Sequence, residues 1–178
     1  MDTHPQTESV ISIELLSKIK AQYRLEWFGI HGVKHWARVY ENGMKLADEQ
    51  DGVNSRILPL FSVFHDACRR NENRDKGHGK RGAELVVKLR KMIPLDDDGF
   101  QLLILACELH TSARTHENIT IQCCMDADRL DLGRVGIVPD SEYLCSPVAK
   151  EKRIIDWAYH RSLNDIELPD HPFELSGY

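Results

Sequence analysis

The stretch from Leu60 to Arg70 reads LFSVFHDACRR: an apolar helical run that ends on two good hard-metal ligands, His65 and Asp66, followed by Arg69 and Arg70. An imidazole and a carboxylate beside Phe61, Val63 and Phe64 must be satisfied by a cation or by a hydrogen-bond network. Buried bare, they would lose roughly several kcal/mol of hydration. The doublet gains weight from His35 upstream, in HGVKHWARV, and from Asp128 downstream, in DADRLD. Together they give the order His, His-Asp, Asp on three separate predicted helices.

Around that stretch the apolar periodicity is helical almost throughout, and strand alternation is nearly absent. The chain therefore reads as all-α, a compact bundle of about six or seven helices. Thr7 or Ser9 is the expected cap of a first helix that buries Ile11, Ile13, Leu15, Leu16 and Ile19 and ends by Trp27-Phe28-Gly29. A second spans about 32–47, with Val33, Trp36, Ala37, Tyr40 and Met44 facing the core. The third spans about 54–69, carries the doublet near its end, and contains Pro59, read as a kink or a late start. Residues 71–79, NENRDKGHG, read as a polar surface loop. Further helices are expected over about 80–92, 97–110 and 120–132. A last one, capped and started by Ser146-Pro147, spans about 147–163, before an irregular tail over 169–178.

The 178 residues, 42% of them hydrophobic, suit one domain with a helical core, and no second domain is expected. With 23 Lys and Arg against 28 Asp and Glu, the net charge is −5, which gives no general footprint for duplex nucleic acid. A small phosphorylated partner fits better; oligomeric state is not legible. No apolar run is long enough to span a bilayer, and MDTHPQTESV has no basic flank and apolar core, so a cytoplasmic location is the default expectation. The five cysteines, Cys68, Cys107, Cys123, Cys124 and Cys145, are an odd number without a CxxC pair. They read as reduced packing residues.

Over residues 31–140 the chain resembles the HD-domain superfamily of metal-dependent phosphohydrolases, nearest to a small single-domain subgroup. The matches, in order, are His31-Gly32, His35-Trp36, Phe64-His65-Asp66, Arg69-Arg70, His78-Gly79, Glu108-Leu109-His110 and Asp126 through Gly136. The resemblance implies metal ligands at His35, His65, Asp66 and Asp128. His31, Asp126 and Asp131 are expected to support them from behind, the two acids pairing with Arg129 or Arg134. HGVKH lacks the glutamate of a zinc-protease HExxH motif, which leaves His31 to cap the helix or line the pocket.

Two histidines and two carboxylates form a mixed nitrogen and oxygen set that suits a divalent ion: Mn, Fe, Co, Ni, Zn or Mg. The implied activity is hydrolysis of a nucleotide or other small phosphate ester by metal-activated water, with Asp66 holding the ion and orienting the water. Arg69 and Arg70, after the doublet, are expected to hold phosphate, or else to pair with Glu72 or Asp75. His78, in a polar segment beside Lys80 and Arg81, reads as a catalytic phosphate donor. Some superfamily members bind a second metal through two histidines in this interval, so His78 and His110 form the alternative second-metal pair. His116 carries less weight, and His4, His160 and His171 read as surface residues. Two other readings stay open: a di-iron oxygenase, if His78 and His110 complete a site, and a non-catalytic nucleotide-binding or regulatory module.

Overall fold

Residue burial in the computed structural model, which describes residues 10–164 and Phe173, follows the helical periodicity: seven α-helices and no strand among the described residues. The first, α1 (Ile13–Gln22), is capped by Ser12, whose Oγ accepts from the Leu15 N–H at 3.1 Å. Thr7 and Ser9 lie outside the described residues. Helix α1 buries Leu15, Leu16 and Ile19, whereas Ile13, expected inside, is exposed. Helix α2 (Val33–Glu49) buries Val33, Trp36, Ala37, Val39 and Leu46, but also His35, Arg38 and Asn42, which recur every three or four residues and so share a face.

Helix α3 (Ile57–Phe64) is buried at every position and packs against α1, α2 and three later helices, which makes it the core's central rod. Pro59 lies in its first turn, where the missing N–H removes no helical bond, so no kink is needed. The expected continuation to Arg69 is corrected, because the helix ends at Phe64. Beyond it the chain tightens into i to i+3 turns, Ala67 N–H to the Phe64 carbonyl and Arg69 N–H to the Asp66 carbonyl, both 3.2 Å. Successive residues of a continuous helix point about 100° apart. The break lets two sequence neighbours reach one centre.

Helix α4 (His78–Lys88) begins two residues earlier than expected, so His78 and Gly79 belong to a helix and not to the preceding loop. Gly77, at φ +85°, makes the left-handed entry that glycine favours. Helix α5 (Asp97–Leu109) is capped by Asp96 and carries Asp97 and Asp98 in its first turn. The backbones of α4 and α5 approach closely, since a Cβ at residue 79 would lie 2.5 Å from the Cys107 carbonyl oxygen. At Gly82, a Cβ would lie 2.6 Å from the Phe64 carbonyl oxygen, so the end of α3 is seated against α4 in the same manner.

Helix α6 (Ile119–Arg129) is capped by Asn118, and α7 (Lys152–Ser162) starts five residues later than the expected 147. Ser146 is occupied elsewhere: Asp126 accepts from the Cys145 N–H at 2.7 Å and from the Ser146 N–H and hydroxyl at 2.7 and 2.8 Å. Asp126 thus ties α6 to the turn leading into α7, which corrects the expectation that it supports the metal ligands. All five cysteines are free, with Cys107, Cys123 and Cys124 buried. No helix among the described residues is long and apolar enough to cross a membrane.

Replacing Asp126 with Ala strands the buried Ser146 N–H and hydroxyl and the half-buried Cys145 N–H. It should cost about 2–4 kcal/mol and lower Tm by on the order of 10 °C, while leaving metal binding intact. Thermal unfolding followed by circular dichroism, with metal analysis of the same sample, checks both halves; an unchanged Tm would contradict the anchoring role.

Candidate metal centre

Four side chains from three parts of the chain converge beneath the end of α3. His35 from α2 places Nε2 3.1 Å from Nε2 of His65, 3.7 Å from Asp66 Oδ2 and 3.4 Å from Asp128 Oδ1 of α6. His65 Nε2 lies 3.8 Å from each of the same two carboxylate oxygens. The four residues read from the sequence as ligands are therefore brought together.

Asp66 also belongs to a second group. Its other oxygen, Oδ1, lies 3.0 Å from Nε2 of His78, at the start of α4, and 3.9 Å from Nε2 of His110, at the end of α5. The two Nε2 atoms are 3.0 Å apart. His78, expected in a solvated loop, is instead buried, and so is His110. The close approach at Gly79 and Cys107 holds this pair: a Cβ on residue 79 would also press on the His110 ring at 3.1 Å.

What these groups can bind follows from the other ring nitrogens. His65 Nδ1 lies 2.9 Å from the Ser62 carbonyl, His78 Nδ1 2.7 Å from the Asp75 carbonyl, and His110 Nδ1 2.7 Å from the Cys107 carbonyl. A carbonyl only accepts, so each Nδ1 carries the proton. His35 Nδ1 meets Asp131 Oδ2 at 2.7 Å, which sets the same tautomer. In the neutral ring every Nε2 then carries a bare lone pair, and these lone pairs face one another at 3.0 and 3.1 Å. Neutral rings so arranged repel unless a cation lies between them. Two groups that share Asp66, one with His35 and His65 and the other with His78 and His110, could hold divalent ions, and Asp128 Oδ1 lies 3.4 Å from His35 Nε2 beside the first.

Titration tendencies agree for His65 and His110. Burial pushes the His65 imidazole down to about 3 and lowers that of His110, so both stay neutral. For His78, burial acts downward, but its bond to Asp66 outweighs it and raises the ring. Burial pushes the Asp66 carboxyl up, yet the neighbouring His65 and the His78 bond hold it well below the usual carboxylate range. Asp128 is likewise held low against burial, by its bond with His35.

Behind the ligands, Asp131 accepts from His35 and, at 2.6 Å, from Nε of Arg38, with Arg134 NH1 3.7 Å away. Arg38 escaped the sequence reading, although its signal was there: a charged residue three positions after His35 on the buried face of α2. His31 bonds Glu72 through Nδ1, and its carbonyl accepts from the Tyr23 hydroxyl at 3.0 Å. Arg69 is buried, with NH1 3.4 Å from Asp66 Oδ1 and NH2 donating to the Asn73 carbonyl at 2.7 Å.

Arg70 is not brought to the cluster. It is exposed, and only its backbone N–H bonds Asp75, whose carboxylate also pairs with Arg81 at 2.6 Å. His116 accepts from the Asn118 N–H and so shapes the loop before α6. His160 is exposed as expected, and His4 and His171 lie outside the described residues. Beside His78 opens a cleft of about 470 Å³ whose wall includes Arg69, Arg74, Lys76, Thr111 and Ser112.

An all-helical core that gathers His, His-Asp and Asp under the end of its central helix is the HD type of fold. The chain is similar in structure to a predicted HD superfamily hydrolase from an uncultured Thermotogales bacterium, with a TM-score of 0.62 and 21% identity over 84% of this chain and 86% of that one. No protein-family model and no curated protein matches the sequence.

Asp131→Ala removes the carboxylate that fixes the His35 tautomer while leaving every ligand in place. Metal affinity, measured by competition with a chromogenic chelator, should fall by about 10- to 100-fold. Unaltered affinity would show that Asp131 serves packing alone.

Proposed function

We propose that the protein is a metal-dependent phosphohydrolase of the HD superfamily, acting on a nucleotide or another small phosphate ester. The observation that carries this reading is the pair of opposed Nε2 contacts sharing Asp66, an arrangement that calls for cations. The likeness in fold to a predicted HD superfamily hydrolase supports it. Divalent ions bound there would lower the pKa of a water and polarise a phosphoryl oxygen.

The chain's own residues supply the rest. His35, His65 and Asp128 would hold one ion and His78 and His110 another, and Asp66 presents one oxygen to each set of residues. Asp66 and Asp128 stay ionised and so are available to a cation and to a water proton. Arg69, beside Asp66, offers its planar donors to the extra charge that builds on phosphate oxygens. Arg74 and Lys76 on the cleft wall draw an anion toward His78. A volume of about 470 Å³ lies within the roughly 300–1,000 Å³ typical of small-molecule sites. A cytoplasmic setting suits the five free thiols.

The meeting of His78 and His110 at Asp66 also favours a second reading, oxygen-dependent cleavage at a di-iron centre. The test is metal analysis of the purified protein, followed by loading with each candidate ion and a screen of nucleotides and phosphate esters. Two ions per chain are expected, falling to one in His78→Ala and in His110→Ala. Phosphate or pyrophosphate release should drop at least about a hundredfold in Asp128→Ala, which is over 2.7 kcal/mol of barrier. Consumption of O₂ with Fe²⁺ and no phosphate release would favour the oxygenase, and ligand-induced stabilisation without any turnover would favour a regulatory module.

A further inference from the structure

Arg69 also forms part of the wall of a second cavity, of about 230 Å³, that contains none of the histidines and neither of the ligand carboxylates. Its lining comes from the end of α1, from the turn at residues 68–70, and from α4. On α4, Arg81, Glu84, Leu85 and Lys88 follow the i, i+3, i+4, i+7 spacing of one helix stripe. Five cations, Arg24, Arg69, Arg70, Arg81 and Lys88, meet there with Glu84 as the one carboxylate. In a chain of net charge −5 this is a local inversion of sign.

Arg81 has a partner in Asp75 and donates to the Cys68 carbonyl at 3.0 Å. Among the described residues, the side chains of Arg24, Arg70 and Lys88 pair with no carboxylate. Arg69 adds an independent sign. Its side chain is more than nine-tenths buried, and NH1 and NH2 are engaged by Asp66 and the Asn73 carbonyl, yet Nε has no hydrogen-bond partner. The cavity wall therefore joins a buried guanidinium with one unpartnered donor to three cations without a carboxylate, a surplus of positive charge that an anion would offset.

We propose that this cavity is a second oxyanion site, which takes the phosphoryl or pyrophosphoryl group of a small molecule. The volume lies below the roughly 300–1,000 Å³ of sites that enclose a whole small molecule, so the remainder of the ligand stays in solvent over the exposed Arg24 and Lys88. Arg69, touching Asp66 on one side and lining this cavity on the other, links the site to the metal centre. The site is independent of whether that centre is hydrolytic.

Binding of inorganic phosphate to the full-length, metal-loaded protein, measured by titration calorimetry, tests it. The double variant Arg24→Ala/Lys88→Ala changes two exposed side chains outside the metal centre and should keep its fold and metal content. It should lose a phosphate-binding event by at least about tenfold in affinity. In Asp128→Ala that same event should persist. Alkylation of Cys68, which lines the cavity, should be slowed by phosphate while that of Cys145 is not. Phosphate binding that is unaltered in the double variant, or that Asp128→Ala abolishes entirely, would overturn the proposal. Turnover of Asp128→Ala reports on the hydrolase reading alone.

Discussion

Two pairs of imidazole nitrogens, each about 3 Å apart with their lone pairs opposed, set the terms for the rest of this protein. Such a contact is repulsive between neutral rings, and burial opposes protonating His65 and His110. It persists in a fold only where the rings are held from behind, and they are. Each Nδ1 is fastened to a carbonyl of the turn that carries the ring, or, for His35, to Asp131. The backbone bonds set tautomer and ring direction together, and a cation between the nitrogens would recover the cost of the arrangement.

That requirement reaches into the packing. Helix α3 stops at Phe64 and does not run on to Arg69, because only a break there lets His65 and Asp66 reach the same point. The carbonyl of Phe64 meets α4 at Gly82, and three residues earlier in α4 Gly79 brings the Cys107 carbonyl and the His110 ring within reach of His78. Any larger residue at 79 would push α5 away and pull the His78 and His110 nitrogens apart. The close approach of α4 and α5 is therefore part of the site as much as of the core.

Charge is distributed to match. The chain is acidic overall, yet the side of the molecule around Arg69 is cationic: one cleft beside His78 carries Arg74 and Lys76, and a second cavity carries Arg24, Arg70 and Lys88. Arg69, which touches Asp66 and lines that second cavity, lies between the two.

Helical class, the buried faces of α2 and α3 and the packing role of the buried cysteines were all legible from the sequence, because each is local: apolar spacing and the lack of cysteine pairing need no distant partner. That His35, His65, Asp66 and Asp128 would come together was legible too, but only through the ordered resemblance. What tertiary structure alone decided concerns which buried polar groups meet. His35 finds Asp131 across 96 residues, and His78 finds His110 across 32. Sequence spacing could not tell that Asp131 would serve His35 while Asp126, five residues earlier, would anchor the turn at Ser146, nor that Arg69 would turn inward and Arg70 outward. Periodicity reports which face of a helix is buried; the crossing of helices, set by close contacts such as those at Gly79 and Gly82, decides what that face is buried against.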